Sequence, residues 1–306
     1  MGMKLGSVGV VVLALGCGSS KSTGNPGAGG AAGGGGERCE VTLNGSVEPL
    51  FEQPASRIRV SAGLEFTVVD GAVLDGARPE IHTEAGRSGA CRLLTYDSPS
   101  FCDPGCENPE LCVHGACERF PEAMSAGTLF VELGRAHTVE VRTTDLGRYY
   151  WGTEEYGYEA VTSVGVRAPG DEAPGFELSA CLSPPPRPTS DWNRLMEQRA
   201  PGEDVELAWS NPVPTARVYL RMTTCIGTHG GISPVEIECE GLDLGKLTLP
   251  GVYLDALYED GWGHGECGGN DVIRYHADQD GSGEQAVQLR ADSVASFWFQ
   301  PRRGAL

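Results

Sequence analysis

Residues 203–209, EDVELAW, and residues 216–225, ARVYLRMTTC, carry the pattern on which the fold prediction depends. In the second stretch Val218, Leu220 and Met222 alternate with polar or larger amphipathic residues. A period of two places alternate side chains on one face of a β-strand. Both stretches are therefore predicted to be half-buried strands.

Short runs of the same kind, rich in β-branched residues and bounded by glycine, proline and aspartate, recur along the chain. They predict a mainly β protein, an antiparallel β-sandwich preceded by a small disulfide-knotted β-rich region. The other runs are CEVTL (39–43), RIRV (57–60), LEFTVVD (64–70), EIHT (80–83), CRLLTY (91–96), EAVTSVGVRA (159–168), GFELSACL (175–182), VEIECE (235–240), KLTL (246–249), DVIRYHA (271–277), QAVQLRA (285–291) and VASFWF (294–299).

Two local elements are predicted more specifically. TLFVEL (128–133) and HTVEVR (137–142) read as a hairpin across the intervening Gly134-Arg135-Ala136. GVYLDALYEDG (251–261) has apolar residues three and four apart and is predicted to be a short helix.

Composition sets the class and the compartment. The chain has 306 residues, enough for two domains with appendages, and a formal net charge of −19. Such an acidic protein repels phosphate, so no nucleic-acid partner is expected. Its 11 cysteines indicate an oxidising compartment.

The N-terminus predicts export. Lys4 precedes an apolar stretch over 5–15, which is shorter than the roughly 20 residues a membrane span needs but suits a signal peptide. The sequence LALGC (13–17) resembles the lipobox of bacterial lipoproteins, although Ala14 stands where leucine is usual. The resemblance implies cleavage after residue 16 and lipidation of Cys17. An ordinary secretory signal with an incidental cysteine is the alternative.

A glycine-rich segment follows the lipobox. Residues 17–38 are predicted to be the lipidated cysteine and a flexible tether, because this composition cannot bury apolar surface. The lipid would then be the contact with the membrane, since an acidic surface is repelled by anionic lipids. Gly18, where an aspartate retains lipoproteins in the inner membrane of enteric bacteria, favours the outer membrane by analogy with that family.

The ten remaining cysteines are an even number, as a disulfide framework requires. They divide the folded part into a small β domain (39–101), a disulfide knot (102–124) and a sandwich domain (125–306). Cys39 and Cys91 bracket the first region, and we expect them to pair.

The C-terminal cysteines allow three pairings. Cys225 ends one strand and Cys239 lies near the end of the next, and neighbouring antiparallel strands bring Cα atoms within disulfide range. We predict Cys225–Cys239, which leaves Cys181–Cys267 by elimination. Cys225–Cys267 is the main competitor.

The knot, FCDPGCENPELCVHGAC (101–117), is dense in turn residues. It resembles the first half of an epidermal-growth-factor-like module, and the resemblance implies Cys102–Cys112 and Cys106–Cys117. Four cysteines allow three connectivities, and a zinc site is the rival interpretation.

The stretch PGEDVELAW…ARVYLRM (201–222) resembles the second and third strands of immunoglobulin-like domains. Because the usual Cys…Trp…Cys spacing is absent, the sandwich is immunoglobulin-like at most. The proline run at 184–188 cannot lie in a central strand. We favour a long loop within one sandwich over a linker between two.

Catalytic signatures are missing from the sequence. It has neither the G-x-S-x-G elbow of serine esterases nor the H-E-x-x-H helix of metalloproteases. We therefore expect no enzyme activity, no cofactor and no resident metal. An envelope hydrolase whose catalytic groups meet only in the fold is the alternative.

Two stretches remain as candidate ligand sites. The aromatic run over 149–158 sets rings beside carboxylates, as many sugar-binding modules do, and its candidate ligand-binding residues are Tyr150, Trp151, Tyr156 and Tyr158. Tyr149 and Trp151 share a face of a strand, so the alternative is that they are core. Asp278, Asp280 and Glu284 are a weak calcium candidate on a glycine-rich turn, and a plain hairpin turn is favoured over it.

The chain as a whole is similar to uncharacterised surface lipoproteins of Gram-negative bacteria. The resemblance rests on the lipobox, the tether, the four-cysteine knot and the segment IECEGLDLGKLTLP (237–250). It implies a membrane-anchored, extracytoplasmic protein with a binding or structural role at the cell envelope, its partner a glycan or an envelope protein.

Overall fold

The computed structural model describes residues 54–62, 66–96, 102–107, 110–134, 137–144, 146–153, 162–223, 233–261, 270–281 and 286–297. These residues belong to one compact unit over 39–306. They form strands β1 (Ser56–Ala62), β2 (Thr67–Leu74), β3 (Thr83–Ser88), β4 (Cys91–Thr95), β5 (Glu110–Val113), β6 (Ala116–Arg119), β7 (Ala123–Met124), β8 (Leu129–Leu133), β9 (His137–Val141), β10 (Tyr149–Thr153), β11 (Ser163–Ala168), β12 (Phe176–Cys181), β13 (Val205–Ala208), β14 (Arg217–Thr223), β15 (Val235–Leu242), β16 (Lys246–Leu249), β17 (Asn270–Asp280) and β18 (Val287–Phe297), with helices α1 (Trp192–Gln198) and α2 (Gly251–Gly261).

The strands form one large sheet and three smaller ones. The large sheet has ten strands in the order β10-β2-β1-β18-β17-β14-β15-β4-β3, with β7 paired to β2. A four-stranded sheet has the order β12-β11-β8-β9, and β13–β16 and β5–β6 are two-stranded. The pairing is antiparallel except between β1 and β18, which run parallel. The predicted mainly β, antiparallel class is confirmed.

The two faces of the ten-stranded sheet differ in chemistry. On β14 the side chains of Val218, Leu220 and Met222 are buried on one face, while Arg217 and Tyr219 lie on the other. The strands beside β14 keep the same alternation because directly opposed residues share a face. One face is therefore apolar and the other polar.

The apolar face carries two hydrophobic cores. Strands β1, β2, β10 and β18 pack on the four-stranded sheet, and this packing is the sandwich that the alternation predicts. Strands β4, β14 and β15 pack instead on the β13–β16 pair and on both helices. Burial of these side chains from both layers stabilises the large sheet along its whole width.

The predicted division at residue 101 is wrong. Strands β1 to β4 do not form a sheet of their own, since β1 pairs with β18 and β4 pairs with β15. An isolated hairpin leaves both of its edges unpaired, and hydrogen bonding of β1 to β18 and of β4 to β15 closes one edge of each hairpin. The knot strands β5 and β6 thus lie in an insertion between two parts of one sheet.

Cys91 is bonded to Cys239, so the predicted pairs Cys39–Cys91 and Cys225–Cys239 are wrong. The register explains the difference, because β4 sets Cys91 directly opposite Cys239 with their Cα atoms 4.0 Å apart. On the other side of β15 the residue opposite Cys239 is Leu220, five positions before Cys225.

Of the other predicted disulfides, the two in the knot are present and the Cys181–Cys267 bond is not tested. In the knot Cys102 is bonded to Cys112 and Cys106 to Cys117, the two pairs that the resemblance implied. Cys181 is disulfide-bonded, and its partner lies outside the described residues. The predicted Cys181–Cys267 pair stays a prediction.

The local elements follow the sequence closely. β8 and β9 form the predicted hairpin, with Leu133 opposite His137, and α2 has the predicted bounds. Helix α1 was not predicted, since it has only seven residues and two buried side chains one turn apart, Trp192 and Met196. Asp191 caps it by accepting a hydrogen bond from the amide of Arg194. Neither helix of the described chain has the length and apolar character needed to cross a membrane.

Candidate functional site

The polar face of the ten-stranded sheet is the candidate functional site. Its side chains alternate along each strand with the residues of the two cores, so strand geometry alone points them away from both cores. From the β10 edge toward β4 they are Tyr150, Asp70, Arg57, Arg59, Gln288, Arg290, Asp292, Tyr275, Arg217, Tyr219, Arg221, Glu236, Glu238, Glu240 and Arg92.

The centre of this face is a buried polar network around Glu240. Arg217 donates from Nε to Oε1 of Glu240 at 3.0 Å, and the hydroxyl of Tyr275 donates to the same oxygen. Glu240 is fully buried, and burial raises its pKa above the ordinary value in spite of these donors. Its second oxygen, Oε2, has no hydrogen-bond partner in the described chain.

Arg290 is held rigidly beside that network. Its guanidinium makes two hydrogen bonds to the carboxylate of Asp292, at 2.6 and 2.8 Å. It also lies over the rings of Tyr275 and Tyr219, at 4.7 and 5.3 Å from their centroids. All of its strong interactions are therefore satisfied within the protein.

Unlike Arg290, Arg57 and Gln288 each have a buried polar atom without a hydrogen-bond partner in the described part of the chain. They are directly opposed on β1 and β18, and both Nε of Arg57 and Oε1 of Gln288 are buried without a hydrogen-bond partner among the described residues. Burial, assisted by the positive charge of Arg290, lowers the pKa of Arg57 to about 10. Arg57 therefore remains charged at neutral pH.

At the margin of the face Tyr150, Asp70 and Arg59 reach solvent, whereas Nε of Arg57 and the side chain of Gln288 beside them are buried. Tyr150 is 66% exposed and is directly opposed to Asp70, which in turn is opposed to Arg59. Arg59 donates twice to the Asp70 carboxylate, at 3.0 and 2.6 Å. An aromatic ring, an acid and a guanidinium thus stand in one row across three strands. We call Tyr150, Asp70, Arg59, Arg57 and Gln288 the marginal site.

The opposite end of the polar face is closed by its own ion pairs. Arg221 donates to Glu236 at 2.6 and 2.8 Å, and Arg92 donates to Glu238 at 2.6 and 2.9 Å. These groups satisfy one another, so the unpartnered buried atoms of the described polar face are Oε2 of Glu240 at its centre and Nε of Arg57 and Oε1 of Gln288 at the marginal site.

The predicted aromatic residues separate into two roles. Tyr149 is core: its hydroxyl accepts from the amide of Ala126 and donates to the carbonyl of Gly127. Trp151 packs against the same core, and Tyr150 alone of this strand's rings faces outward. Tyr156 and Tyr158 lie outside the described residues, as does Cys17.

In the calcium candidate, the carboxylate of Asp278 is already hydrogen-bonded to the backbone. Asp278 accepts hydrogen bonds from the amides of Ser179 and Gln279, and Asp280 opposes Val287 at the end of the β17–β18 hairpin. Glu284 lies outside the described residues. These contacts fit the hairpin interpretation of the stretch.

The sulfurs of the four knot cysteines are bonded in two disulfides. Those of Cys102, Cys106 and Cys117 lie within 4.8 Å of one another, but each belongs to a disulfide and offers no thiolate to a metal.

One serine–histidine contact lies on the opposite, apolar face. Ser183 Oγ is 2.8 Å from Nε2 of His276, and burial and the neighbouring Arg274 lower the pKa of that imidazole. Among the described residues no carboxylate hydrogen-bonds to His276. A nucleophile–base pair normally needs such an orienting group.

Sequence reasoning found Tyr150 but missed the residues beside it. Arg57, Arg59 and Asp70 lie on the consecutive strands β1 and β2, but Gln288 lies on β18, more than 200 residues later, and no short motif joins the four. The sequence signal that could have indicated part of the site is the alternation of arginine with Ile58 and Val60 in RIRV (57–60), which places Arg57 and Arg59 on one face of a strand.

No protein-family model matches the chain, and no curated protein matches it. Among solved structures, the crystal structure of Dpr11 IG1 bound to DIP-gamma IG+IG2 is similar at 11% identity, over 77% of this chain and 94% of that chain, with a TM-score of 0.16. A TM-score this low carries no argument about fold or function.

Proposed function

We propose that this protein is a non-catalytic, glycan-binding lipoprotein anchored to a bacterial outer membrane by a lipid on Cys17. The observation that carries the binding role is the exposed ring of Tyr150 in register with the Asp70–Arg59 pair. The lipobox and the glycine-rich tether support the anchor.

The chemistry of this row suits a sugar. A tyrosine face stacks on the C–H surface of a pyranose ring, a carboxylate accepts hydrogen bonds from hydroxyls, and a guanidinium donates to them. Side-chain exposures of 40% for Arg59 and 22% for Asp70 leave both groups accessible while their mutual ion pair fixes them. A pre-organised row loses less conformational entropy when it binds.

The disulfides support an extracytoplasmic site of action. The Cys91–Cys239 bond joins residues 148 positions apart and is buried, and the knot adds two more bonds. Such bonds persist in oxidising compartments and are rare in the reducing cytosol.

The test of binding is a glycan array probed with the soluble protein lacking residues 1–17, followed by the Tyr150→Ala variant on every positive glycan. We expect the variant to lose at least tenfold in affinity. The matched control is Phe120→Ala, which removes another ring of similar type, 42% exposed and placed next to the knot. No bound glycan, or equal loss in both variants, would exclude the proposal.

The test of the anchor is the Cys17→Ser variant of the full chain. We expect the native protein to partition into the detergent phase and the variant to be released into the aqueous phase. Unchanged partitioning would contradict lipidation at this residue.

A second candidate, an envelope hydrolase, is favoured only by the Ser183–His276 contact. A neutral imidazole next to a hydroxyl is the arrangement that activates a nucleophile. Labelling of the native protein by a fluorophosphonate, and its loss in Ser183→Ala, would support this function. An unlabelled protein would exclude it.

A further inference from the structure

We infer that the glycan bound at the marginal site is acidic, and that Arg57 binds a carboxylate on it while Gln288 accepts a hydrogen bond from a neighbouring hydroxyl. The inference rests on the proposed function and narrows it to glycans built from uronic-acid-type sugars.

The first argument is the contrast between Arg57 and the two arginines beside it. Arg59 is paired with Asp70 and Arg290 with Asp292, in each case through two hydrogen bonds. Arg57 has no ion pair and no hydrogen bond to any of the described residues. The charge of Asp292 favours the protonated form of Arg57, but Nε remains a buried donor without an acceptor among the residues that the structure describes, which is costly, and an anion supplied by a ligand removes that cost.

The second argument is the position of Gln288. It is 4% exposed and directly opposed to Arg57, and its Oε1 is a buried acceptor with no donor in the described chain. An anion alone does not satisfy this oxygen, because it brings no hydrogen to donate. A ligand with a carboxylate beside a hydroxyl satisfies Arg57 and Gln288 together.

The third argument is charge. The marginal site and the Arg290–Asp292 pair bring together Arg57, Arg59 and Arg290 against Asp70 and Asp292, an excess of one positive charge. The chain as a whole carries −19. The net charge of this group of side chains is therefore opposite in sign to the net charge of the chain, and it is complementary to an anionic group on a ligand.

The fourth argument is distance. Strands β10 and β1 are separated by β2 alone, and neighbouring strands lie about 4.8 Å apart, so their backbones are roughly 10 Å apart. A ligand that touches both Tyr150 and Arg57 must span that distance, which favours an oligosaccharide over a single sugar.

A carboxylate fits better than a sulfate or phosphate on the same sugar. A guanidinium pairs bidentately with carboxylate and phosphate alike, so the preference for a carboxylate rests on where that group sits on the sugar. Uronic acids carry that carboxylate on the sugar ring, close to ring hydroxyls, as the adjacency of Arg57 and Gln288 requires. A sulfated oligosaccharide therefore serves as a competing probe in the test.

The experiment is calorimetric titration of the soluble protein with trigalacturonic acid, with its methyl ester and with a sulfated trisaccharide. We expect the acid to bind at least tenfold more tightly than either of the other two. Arg57→Gln should remove the preference for the acid over the ester. Arg119→Gln, which removes an exposed arginine paired with Asp75 next to the knot, should leave the preference unchanged.

The outcomes separate the two proposals. Equal binding of acid and ester, or tighter binding of the sulfated sugar, overturns the inference and leaves glycan binding intact. No binding of any probe by a protein that also fails the array overturns both. If Arg57→Gln does not fold, by near-ultraviolet circular dichroism, Gln288→Leu replaces it, and an unchanged preference for the acid in that variant overturns the inference.

Discussion

Nε of Arg274 donates to Oδ2 of Asp243 at 2.6 Å, and both side chains are fully buried. The same carboxylate accepts from the indole of Trp209 and from the amide of Val213. Arg274 in turn donates to the carbonyls of Pro184 and Asn211. One ion pair on the apolar face therefore ties the proline-rich connection to the turn between β13 and β14.

Removal of this carboxylate is predicted to be severely destabilising. Asp243→Ala leaves the Arg274 guanidinium buried and unpaired and should lower the free energy of unfolding by about 3–5 kcal/mol. Chemical denaturation of the soluble protein measures it. Glu206→Ala, which breaks the exposed Lys246–Glu206 pair, is the control and should cost about 1 kcal/mol or less. Similar losses in both variants would contradict the account.

The Cys91–Cys239 disulfide is predicted to stabilise the sheet more than the knot disulfides do. The double variant Cys91→Ala, Cys239→Ala should lose about 2–5 kcal/mol of unfolding free energy, because the bond joins distant segments inside the core. The double variant at Cys102 and Cys112 opens a loop of sequence separation 10 and should lose less. Non-reducing peptide mapping that links Cys91 to Cys39 would refute the assignment.

His276 is predicted to make stability depend on pH. Burial and the charge of Arg274 lower the pKa of this imidazole below its ordinary value of 6.5, so the unfolded chain binds the proton more tightly. Its contribution is therefore present above pH 6.5 and is lost as the pH falls through and below that value. Comparison with His276→Gln at pH 7.5 and pH 5.5 measures it. A native advantage that grows on acidification would show that the sign is wrong.

Gly71 is predicted to tolerate no side chain. A Cβ placed there would lie 2.1 Å from the carbonyl oxygen of Arg57 and 2.8 Å from Cα of Ile58, and both are backbone atoms of the neighbouring strand. Gly71→Ala should cost about 3 kcal/mol and displace Arg57. Gly241→Ala, whose nearest contact is 3.8 Å away on a side chain, is the control and should cost less than about 1 kcal/mol. Thermal unfolding compares them, and equal melting temperatures would contradict the close approach.

The sequence predicted what is local. Alternation in residues 216–222 placed the core side of β14 correctly, and apolar spacing placed α2 at its observed bounds. The hairpin of β8 and β9 needed only two alternating runs and a short turn.

What the sequence missed is long-range. Nothing in RIRV (57–60) indicates that it pairs in parallel with β18, so residues 39–101 were predicted to be a domain of their own. Nothing near Cys91 indicates that Cys239 lies opposite it. Register between strands more than 100 residues apart is set by the whole packed sheet, and the marginal site depends on that register.

The most direct test of the central claim is mapping of amide chemical-shift changes in the soluble, isotope-labelled protein on addition of trigalacturonic acid. The account predicts saturable changes confined to the strands of the marginal site, β1, β2, β10 and β18, and centred on Arg57, Asp70 and Tyr150. Changes centred on Ser183 and His276 instead, or no changes at all, would contradict it.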